Sequence, residues 1–308
     1  MCLRYYFNDF IHTYSDIMCF HYYKKRTVIF AIFCLTIIIV QSLAVFSNAS
    51  AMPFYGLKPE PLCLRAQFYT SYPSSTDERK HNIKLATEFL DKTFVDVGGE
   101  FSFNLAVGER TEKRGFKVSK IIVGGQFVDG VGGGVCQVST TLYNAVLLAG
   151  LEILEYHPHS LPVSYVAPSF DAMVNSGWAD LKFINNTNNP VVIRANADDS
   201  TVTIKIYGQK MNEKYYRESV IVEDIPMPEY EQIFDDNLEY PDLFEGESKF
   251  VRYGKSGYKS EGYLTKVCNG RIVKKQKIRS DKYNAVGGLI VHGRQKRAVE
   301  EQEEVLVE

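Results

Sequence analysis

Cysteine is scarce in this sequence beyond its first 50 residues, and the few that remain do not form a disulfide pattern. Six cysteines are present in 308 residues, and only Cys63, Cys136 and Cys268 follow the apolar N-terminal segment. A disulfide-stabilised exported domain carries a dense, even-numbered set, so this odd number leaves at least one thiol free or joined to another molecule. The sequence also has no CxxC pair and no zinc-ribbon spacing, which excludes the common structural zinc sites.

An excess of positive charge is missing as well. Lysine and arginine total 35 against 37 acidic residues, which gives a formal net charge of −2 at pH 7. Since no basic stripe is interleaved with aromatic residues, we expect no nucleic-acid partner. The glycine run at 132–134 lacks the spacing of phosphate-binding and dinucleotide-binding loops. A hydrophobic content of 45% predicts a globular body with a substantial core.

One long apolar run is present, near the N-terminus. A basic trio, Lys24-Lys25-Arg26, precedes about 20 uncharged residues, the length that crosses a hydrocarbon core of roughly 30 Å. We predict a cytoplasmic leader over 1–26, a single membrane anchor over 27–46, and an extracytoplasmic body. A cleaved signal peptide is the alternative, because small residues at 49–51 follow the run. Met18 is a second candidate for the start of a short basic leader.

The remaining patterns predict an α+β fold. Apolar residues at helical spacing indicate one helix within 79–95 and a second, nearly all-buried helix from Cys136 to about Gly150. Turn-linked runs such as LPVSYV, PVVIRANA and TVTIKIYG indicate strands in a mostly antiparallel sheet. We therefore expect a single-pass N-terminal membrane anchor, a core domain of helix plus mostly antiparallel sheet, and a small β-rich C-terminal module.

The expected segments after the anchor follow from composition and turn signals. They are a spacer over 47–61, a catalytic core domain over 62–209, a connector over 210–248, a β-rich module over 249–293 and a charged tail over 294–308. Within the module, Asn269-Gly270 between two apolar runs is a strong hairpin signal.

The stretch GVGGGVCQVSTTLYNA places a single cysteine at the head of the predicted buried helix. A thiol there meets the positive end of the helix dipole and unpaired N–H groups, both of which favour the thiolate. We therefore predict that Cys136 is a nucleophile, with nearby backbone N–H groups facing an oxyanion. The predicted substrate and oxyanion contacts are Gly133, Gly134, Gln137, Ser139 and Thr140. A flexible turn before a structural cysteine is the alternative.

A partner for such a thiol is an imidazole, and two of them follow the helix in His157-Pro158-His159. Pro158 favours extended geometry at His157, and alternation along a strand is expected to place both rings on one side. We predict that one of the two is the base toward Cys136. A structural turn and a zinc site are the alternatives, since a His-x-His pair near a Cys or Asp can bind zinc. The candidates for orienting the imidazole are Asp171 and Asp180.

Several motifs together resemble the VanW family of exported bacterial proteins. They run from FSFN at 101–104 through VGERTEKRGF and GGGVCQVSTTLYNA to HPHSLPVSYV and DLKFINNT. The resemblance covers about residues 65–208 and implies cell-wall work. Family members have been proposed to be peptidoglycan L,D-transpeptidases that use the cysteine of this motif, which is Cys136 here. The strand group over 249–293 also loosely resembles a G5-type module.

The resemblance and the residues together predict a peptidoglycan L,D-transpeptidase that forms 3-3 crosslinks through a cysteine acyl-enzyme. Such a reaction requires no metal and no diffusible cofactor. The expected partners are peptidoglycan stem peptides and, through residues 27–46, the cytoplasmic membrane. Two alternatives remain: a non-catalytic wall-binding or scaffolding protein, and a cysteine-dependent peptidoglycan peptidase.

Overall fold

The computed structural model describes residues 62–123 and 125–297. Its helices are α1 (Asp77–Leu90), α2 (Phe103–Val107) and α3 (Val135–Leu148). Its strands, in chain order, are β1 (Cys63–Ser71), β2 (Phe94–Val95), β3 (Glu100–Ser102), β4 (Val118–Val123), β5 (Gln126–Val131), β6 (Glu152–Glu155), β7 (Lys182–Ile184), β8 (Val191–Ala197), β9 (Thr201–Gly208), β10 (Glu213–Ile225), β11 (Glu231–Phe234), β12 (Ser248–Arg252), β13 (Gly257–Cys268), β14 (Arg271–Tyr283) and β15 (Leu289–His292).

The main sheet has four antiparallel strands in the order β1-β9-β8-β2. Every second side chain of a strand faces the same side, and on β9 the inward positions Val202, Ile204 and Ile206 are completely buried. A second sheet has the order β3-β7-β6, and β4 and β5 form a hairpin. The antiparallel pairing that the sequence predicts is confirmed.

Two helices cover the main sheet, as the sequence predicts. Helix α1 begins after Thr76, whose hydroxyl accepts a hydrogen bond from the Arg79 N–H. In α3, twelve of the fourteen residues are buried, including the polar ones, which all have hydrogen-bond partners. Asn82 of α1 holds the glycine loop, residues 132–134, that precedes α3, because its amide donates to the Gly133 carbonyl and to the Lys117 carbonyl before β4. This packing fixes where α3 begins.

Gly134 caps the start of α3 in a backbone conformation that favours glycine, with φ at 108°. A Cβ atom there would lie 2.9 Å from Ile83 Cγ1 and 3.0 Å from Arg79 Cγ. We expect Gly134→Ala to lower the free energy of unfolding by about 2–5 kcal/mol, from backbone strain and overpacking together. Urea unfolding of the purified chain measures this loss.

The matched control is Gly98→Ala. Gly98 also has a positive φ, at 68°, but nothing lies within 4 Å of its added Cβ. Its substitution is therefore expected to cost only the strain, about 1–2 kcal/mol. Equal losses at the two positions would contradict the packing role of Gly134.

The C-terminal part consists of two more three-stranded sheets, β10-β13-β14 and β11-β15-β12. Strands β13 and β14 form the predicted hairpin, with Asn269 and Gly270 at φ values of 50° and 76°. The first of these sheets contacts the core domain through buried side chains, since the Ser169 and Ser260 hydroxyls lie 2.7 Å apart.

The predicted α+β class is wrong, because 45% of the described residues are in strands and 15% in helices. The difference arises after residue 209. Residues 210–248, assigned to a connector from their composition, contain β10 and β11. The residues of β10 do not alternate between apolar and polar types, because Tyr215-Tyr216 and Val220-Ile221-Val222 are consecutive apolar residues, so the sequence lacks the pattern from which a strand is predicted.

The predicted membrane anchor, 27–46, lies outside the described residues, as do the leader, the spacer over 47–61 and most of the charged tail. Within 62–123 and 125–297, no helix has the length and apolar character needed to span a bilayer.

Candidate functional site

Cys136 lies in the first turn of α3 and is half-buried, with its Sγ 3.3 Å from the Val174 carbonyl oxygen. The Val135 and Gln137 N–H groups donate to the Gly132 and Gly134 carbonyls. The N–H of Cys136 itself meets no acceptor within the described part of the chain. A helix start of this kind offers an N–H group to a negative charge that develops next to the thiol.

His159, and not His157, is the imidazole that the fold brings to Cys136. Its ring is 5% exposed, and its Nδ1 lies 2.7 Å from Asp171 Oδ2. The backbone N–H of His159 donates to the same carboxylate oxygen at 2.7 Å. Because Nδ1 is held by Asp171, Nε2 is the ring nitrogen that remains to act on Cys136. The three side chains therefore form a Cys–His–Asp series.

The pKa values in this series favour a charged pair. Burial opposes the thiolate, but the hydrogen bond and charge of His159 outweigh it and hold the pKa of Cys136 below its usual value. Burial likewise opposes the imidazolium, yet the hydrogen bonds to Asp171 and Cys136 raise the pKa of His159 to about 9. The pKa of Asp171 is lowered despite its burial, mainly through its hydrogen bond with His159. Both shifts favour the thiolate–imidazolium pair over the neutral thiol–imidazole pair.

This charged pair predicts the pH dependence of alkylation. We expect the iodoacetamide reaction at Cys136 to reach half its maximal rate well below pH 8.5, the midpoint of an ordinary thiol. The measurement is mass spectrometry of the peptide that contains Cys136, and the same chain unfolded in urea is the control. His159→Ala is expected to move the midpoint upward, because the hydrogen bond and charge that favour the thiolate are lost. A folded chain with the midpoint of the unfolded one would contradict the assignment.

The other predicted histidine, His157, contacts Glu155 and Trp178 instead. His157 lies after β6 in a loop, where its Nε2 is 3.0 Å from Glu155 Oε1 and its ring meets the edge of Trp178 at 5.1 Å. The two rings therefore do not share one face of a strand. The predicted strand over LPVSYV is also wrong, because these residues lie in a loop over 156–181. Hydrogen bonds of this loop go to side chains and to other residues of the loop; for example, the Met173 N–H donates to the His157 carbonyl.

Of the two candidate orienting carboxylates, Asp171 contacts the imidazole and Asp180 does not. Asp180 accepts hydrogen bonds from the Ser102 hydroxyl at 2.5 Å and the Asn104 N–H at 2.9 Å. These contacts join the loop before β7 to the start of α2. The structure therefore gives Asp180 a role in holding the fold next to the site.

The predicted substrate and oxyanion residues mostly build the start of α3. Ser139 and Thr140 are completely buried, and their hydroxyls bond the Ala172 carbonyl and N–H at 2.6 and 2.9 Å, which positions the segment that begins at Asp171. Gly133 packs against β4, where a Cβ would lie 2.6 Å from the Lys120 carbonyl oxygen. The side chain of Gln137 is buried as well, with its amide donating to Thr70.

Two residues that sequence reasoning missed hold Asp171 from the other side. Tyr283 of β14 donates its hydroxyl to Asp171 Oδ1 at 2.5 Å, and Arg279 Nη2 lies 3.3 Å from the same oxygen. Arg279 also pairs with Asp281 at 2.6 Å and donates to the Asp171 carbonyl. No local signal marks them, because both lie more than 100 residues along the chain from Asp171. The C-terminal part thus completes the carboxylate's environment.

The zinc alternative has no ligand set in the part of the chain that is described, since no three His, Cys, Asp or Glu side chains there are arranged around a common point. In the same residues, the carboxylate nearest His157 is Glu155, which also pairs with Lys182 at 2.7 Å.

Comparison with known proteins finds similarity in the core domain. A family model described as "VanW like protein" matches residues 78–207. The uncharacterized protein YoaR of Bacillus subtilis is 44% identical over 141 residues, which cover 46% of this chain and 46% of YoaR. The vancomycin B-type resistance protein VanW of Enterococcus faecalis is 27% identical over 146 residues, which cover 46% of this chain and 53% of that protein. The chain thus spans about half the length of these relatives.

Two solved structures also show similarity. The G5 domain of IgA1 protease is 23% identical with a TM-score of 0.19, and the match covers 27% of this chain and 92% of that domain. HP0197-G5 is 19% identical with a TM-score of 0.15, over 27% of this chain and all of that structure. At these TM-scores nothing about activity follows from either structure.

Proposed function

We propose that this chain is a cell-wall-associated, extracytoplasmic acyltransferase that works through Cys136; the match of residues 78–207 to the family model described as "VanW like protein" supports this proposal. The reaction we propose is that of a peptidoglycan L,D-transpeptidase. One observation carries it: His159, whose Nδ1 is held by Asp171, acts on the half-buried Cys136 thiol and lowers its pKa. The name of one relative, a vancomycin B-type resistance protein, supports a wall substrate.

In the first step, the Cys136 thiolate attacks the carbonyl carbon that follows an L-centre in the donor stem peptide. The carbonyl oxygen becomes an oxyanion next to the N–H of Cys136. His159 then gives its Nε2 proton to the departing nitrogen, the C–N bond breaks, and the terminal D-residue leaves as an amine. The acyl group remains on Sγ as a thioester.

In the second step, the amine of a neighbouring stem attacks the thioester. Neutral His159 accepts the proton that this nitrogen loses, and the C–S bond breaks. The products are a new amide crosslink and the starting thiolate–imidazolium pair. Asp171 keeps its charge throughout, because its hydrogen bonds from His159 and Tyr283 persist in both steps.

The direct test is to incubate the purified chain with a stem tetrapeptide and record its intact mass. We expect a thioester adduct on Cys136 together with one equivalent of released D-amino acid. Cys136→Ala, with the same chain fold verified by circular dichroism, is expected to give neither product. Release of the D-residue by Cys136→Ala at the wild-type rate would refute the proposal.

The muropeptide profile of cells distinguishes the transpeptidase from the two alternative functions. Muropeptides from cells carrying Cys136→Ala are expected to lose 3-3 crosslinks if the chain is a transpeptidase. Loss of shortened stems with unchanged crosslinks would instead identify a cysteine-dependent peptidase, with water as the acceptor. An unchanged muropeptide profile, together with wall binding by the purified variant, would identify a non-catalytic wall-binding protein.

A further inference from the structure

Two arginines lie against the glycine loop that precedes Cys136. A Cβ on Gly134 would come within 3.0 Å of Arg79 Cγ, and a Cβ on Gly132 would come within 2.8 Å of Arg110 Cβ. The two side chains therefore approach this loop from α1 and from the segment after α2. Both are half-buried, and the charges of both act on the Cys136 thiol.

Hydrogen bonds to neutral groups hold each guanidinium in place. Arg79 donates to the Ser75 hydroxyl at 2.7 Å and to Gln137 Oε1 at 2.8 Å. Arg110 donates to Asn104 Oδ1 at 2.7 Å and more weakly to the Gly108 carbonyl. A guanidinium has five N–H donors, so both groups keep donors for another acceptor.

Neither arginine forms an ion pair with a carboxylate of the described residues. The acidic group that acts on Arg110 most closely besides the thiol is Asp180, whose oxygens are already bonded to Ser102, Asn104 and Leu181. Half-buried positive charge that lacks a carboxylate partner is costly, because burial removes part of its hydration. An anionic ligand offsets this cost.

We propose that Arg79 and Arg110 form a binding site for the C-terminal carboxylate of the donor peptide, next to the Cys136 thiol. The identity of this ligand rests on the proposed function, in which the residue that leaves carries a free carboxylate. The loop Val174–Ser176 joins this site to the thiol, since the Val174 carbonyl faces Sγ and the Ser176 hydroxyl lies 3.4 Å from Arg110 Nη1. Planar, bidentate recognition of carboxylates is what arginine provides best.

The first test compares two alkylating reagents of similar size at Cys136 in the full chain. Iodoacetate carries a carboxylate and iodoacetamide does not, while both react with the same thiolate. We expect the iodoacetate-to-iodoacetamide rate ratio at Cys136 to exceed the ratio at Cys268 in the same sample by roughly tenfold. In the double variant Arg79→Gln, Arg110→Gln, the two ratios are expected to become equal. The measurement is mass spectrometry of the two cysteine-containing peptides.

Three matched variants serve as controls for the iodoacetate-to-iodoacetamide rate ratio. Arg194→Gln removes a surface arginine that pairs with Asp91 at 2.9 Å, and it is expected to leave the ratio unchanged. Arg79→Lys and Arg110→Lys retain the positive charge, so most of the preference for iodoacetate is expected to remain even if the Gln variants unfold. Equal ratios at Cys136 and Cys268 in the wild-type chain, or a ratio that the folded double Gln variant leaves unchanged, would overturn the proposal.

The second test uses the stem tetrapeptide and its C-terminal carboxamide as protectants of Cys136 against iodoacetamide. The free acid is expected to protect at roughly tenfold lower concentration, and this difference is expected to vanish in the double Gln variant. Arg-dependent protection without any thioester would refute the transpeptidase and leave the carboxylate site standing. Thioester formation from acid and carboxamide at equal rates would refute the site and leave the transpeptidase standing.

Discussion

Acylation of Cys136 by a stem peptide is expected to slow by about 10³-fold in the variant His159→Ala, since general acid–base catalysis typically contributes about 10²–10⁴-fold. Two losses combine in this variant. The thiolate loses the hydrogen bond and charge that lower its pKa, and the departing nitrogen loses its proton donor. The measurement is the rate of D-amino acid release under single-turnover conditions, at several pH values.

The matched control is His157→Ala, two residues away. Its imidazole bonds Glu155 at the edge of the site and contacts Trp178, so we expect less than a tenfold change in rate. A fall of similar size in both variants would contradict the assignment of His159 as the catalytic base. A high-pH rescue of His159→Ala is expected in part, because hydroxide restores the thiolate and leaves the missing proton donor unreplaced.

The variant Arg279→Met is expected to lose about 3–5 kcal/mol of unfolding free energy, which is the usual cost of removing one partner from a buried ion pair. The Arg279 side chain is completely buried and pairs with Asp171 and Asp281. It also lies over the ring of Tyr156, with its Cζ 4.6 Å from the ring centroid. Its removal takes the arginine partner away from the buried Asp281 side chain and leaves the Asp171 carboxylate with His159 as its basic partner. Urea unfolding at pH 7 measures this loss.

Arg294→Met is the control for this variant. Arg294 pairs with Asp236 at 3.1 Å on the surface, where both side chains are more than half exposed, and such pairs contribute about 0–1 kcal/mol. A similar small loss in Arg279→Met would show that the buried network adds little to stability.

Arg279 also acts on the Cys–His–Asp series through Asp171, so within the proposed function it is a positioning residue. Its positive charge helps to keep the pKa of Asp171 low, and the Asp171 carboxylate in turn helps to keep the pKa of His159 high. We therefore expect that in folded Arg279→Met the midpoint of Cys136 alkylation moves to higher pH. A purely structural role would lower the stability and leave this midpoint where it is.

The difference between the two histidines illustrates where sequence reasoning ends. The His-Pro-His motif indicates that an imidazole is available near the helix, and the sequence leaves the choice open. The choice depends on the 156–181 loop, which turns His159 inward onto Asp171 and leaves His157 27% exposed beside Glu155. Contacts between residues far apart in the chain decide that turn, because the Asn284 N–H holds the Ser160 carbonyl.

The glycine run gives a second example. The sequence predicts a helix start with a cysteine in its first turn, and the structure has this arrangement. The close packing that requires the glycines comes from α1 and β4. At Gly134, for example, an added Cβ would lie 2.9 Å from Ile83 Cγ1 of α1. Ser139 and Thr140 look like candidate substrate contacts in the sequence, yet their position on the buried face of α3 makes them supports for the loop at Ala172.

The sequence by itself determined the features that local patterns encode: two amphipathic or buried helices, the turns of the hairpins, and a thiol at a helix start. The tertiary structure alone decided which imidazole meets that thiol, which carboxylate holds the imidazole, and that Arg279 and Tyr283 from β14 complete the group. The physical reason is the separation along the chain over which each kind of interaction acts. Helix and turn preferences act over a few neighbouring residues, whereas the pKa values of Cys136, His159 and Asp171 depend on burial and charges that only the folded chain brings together.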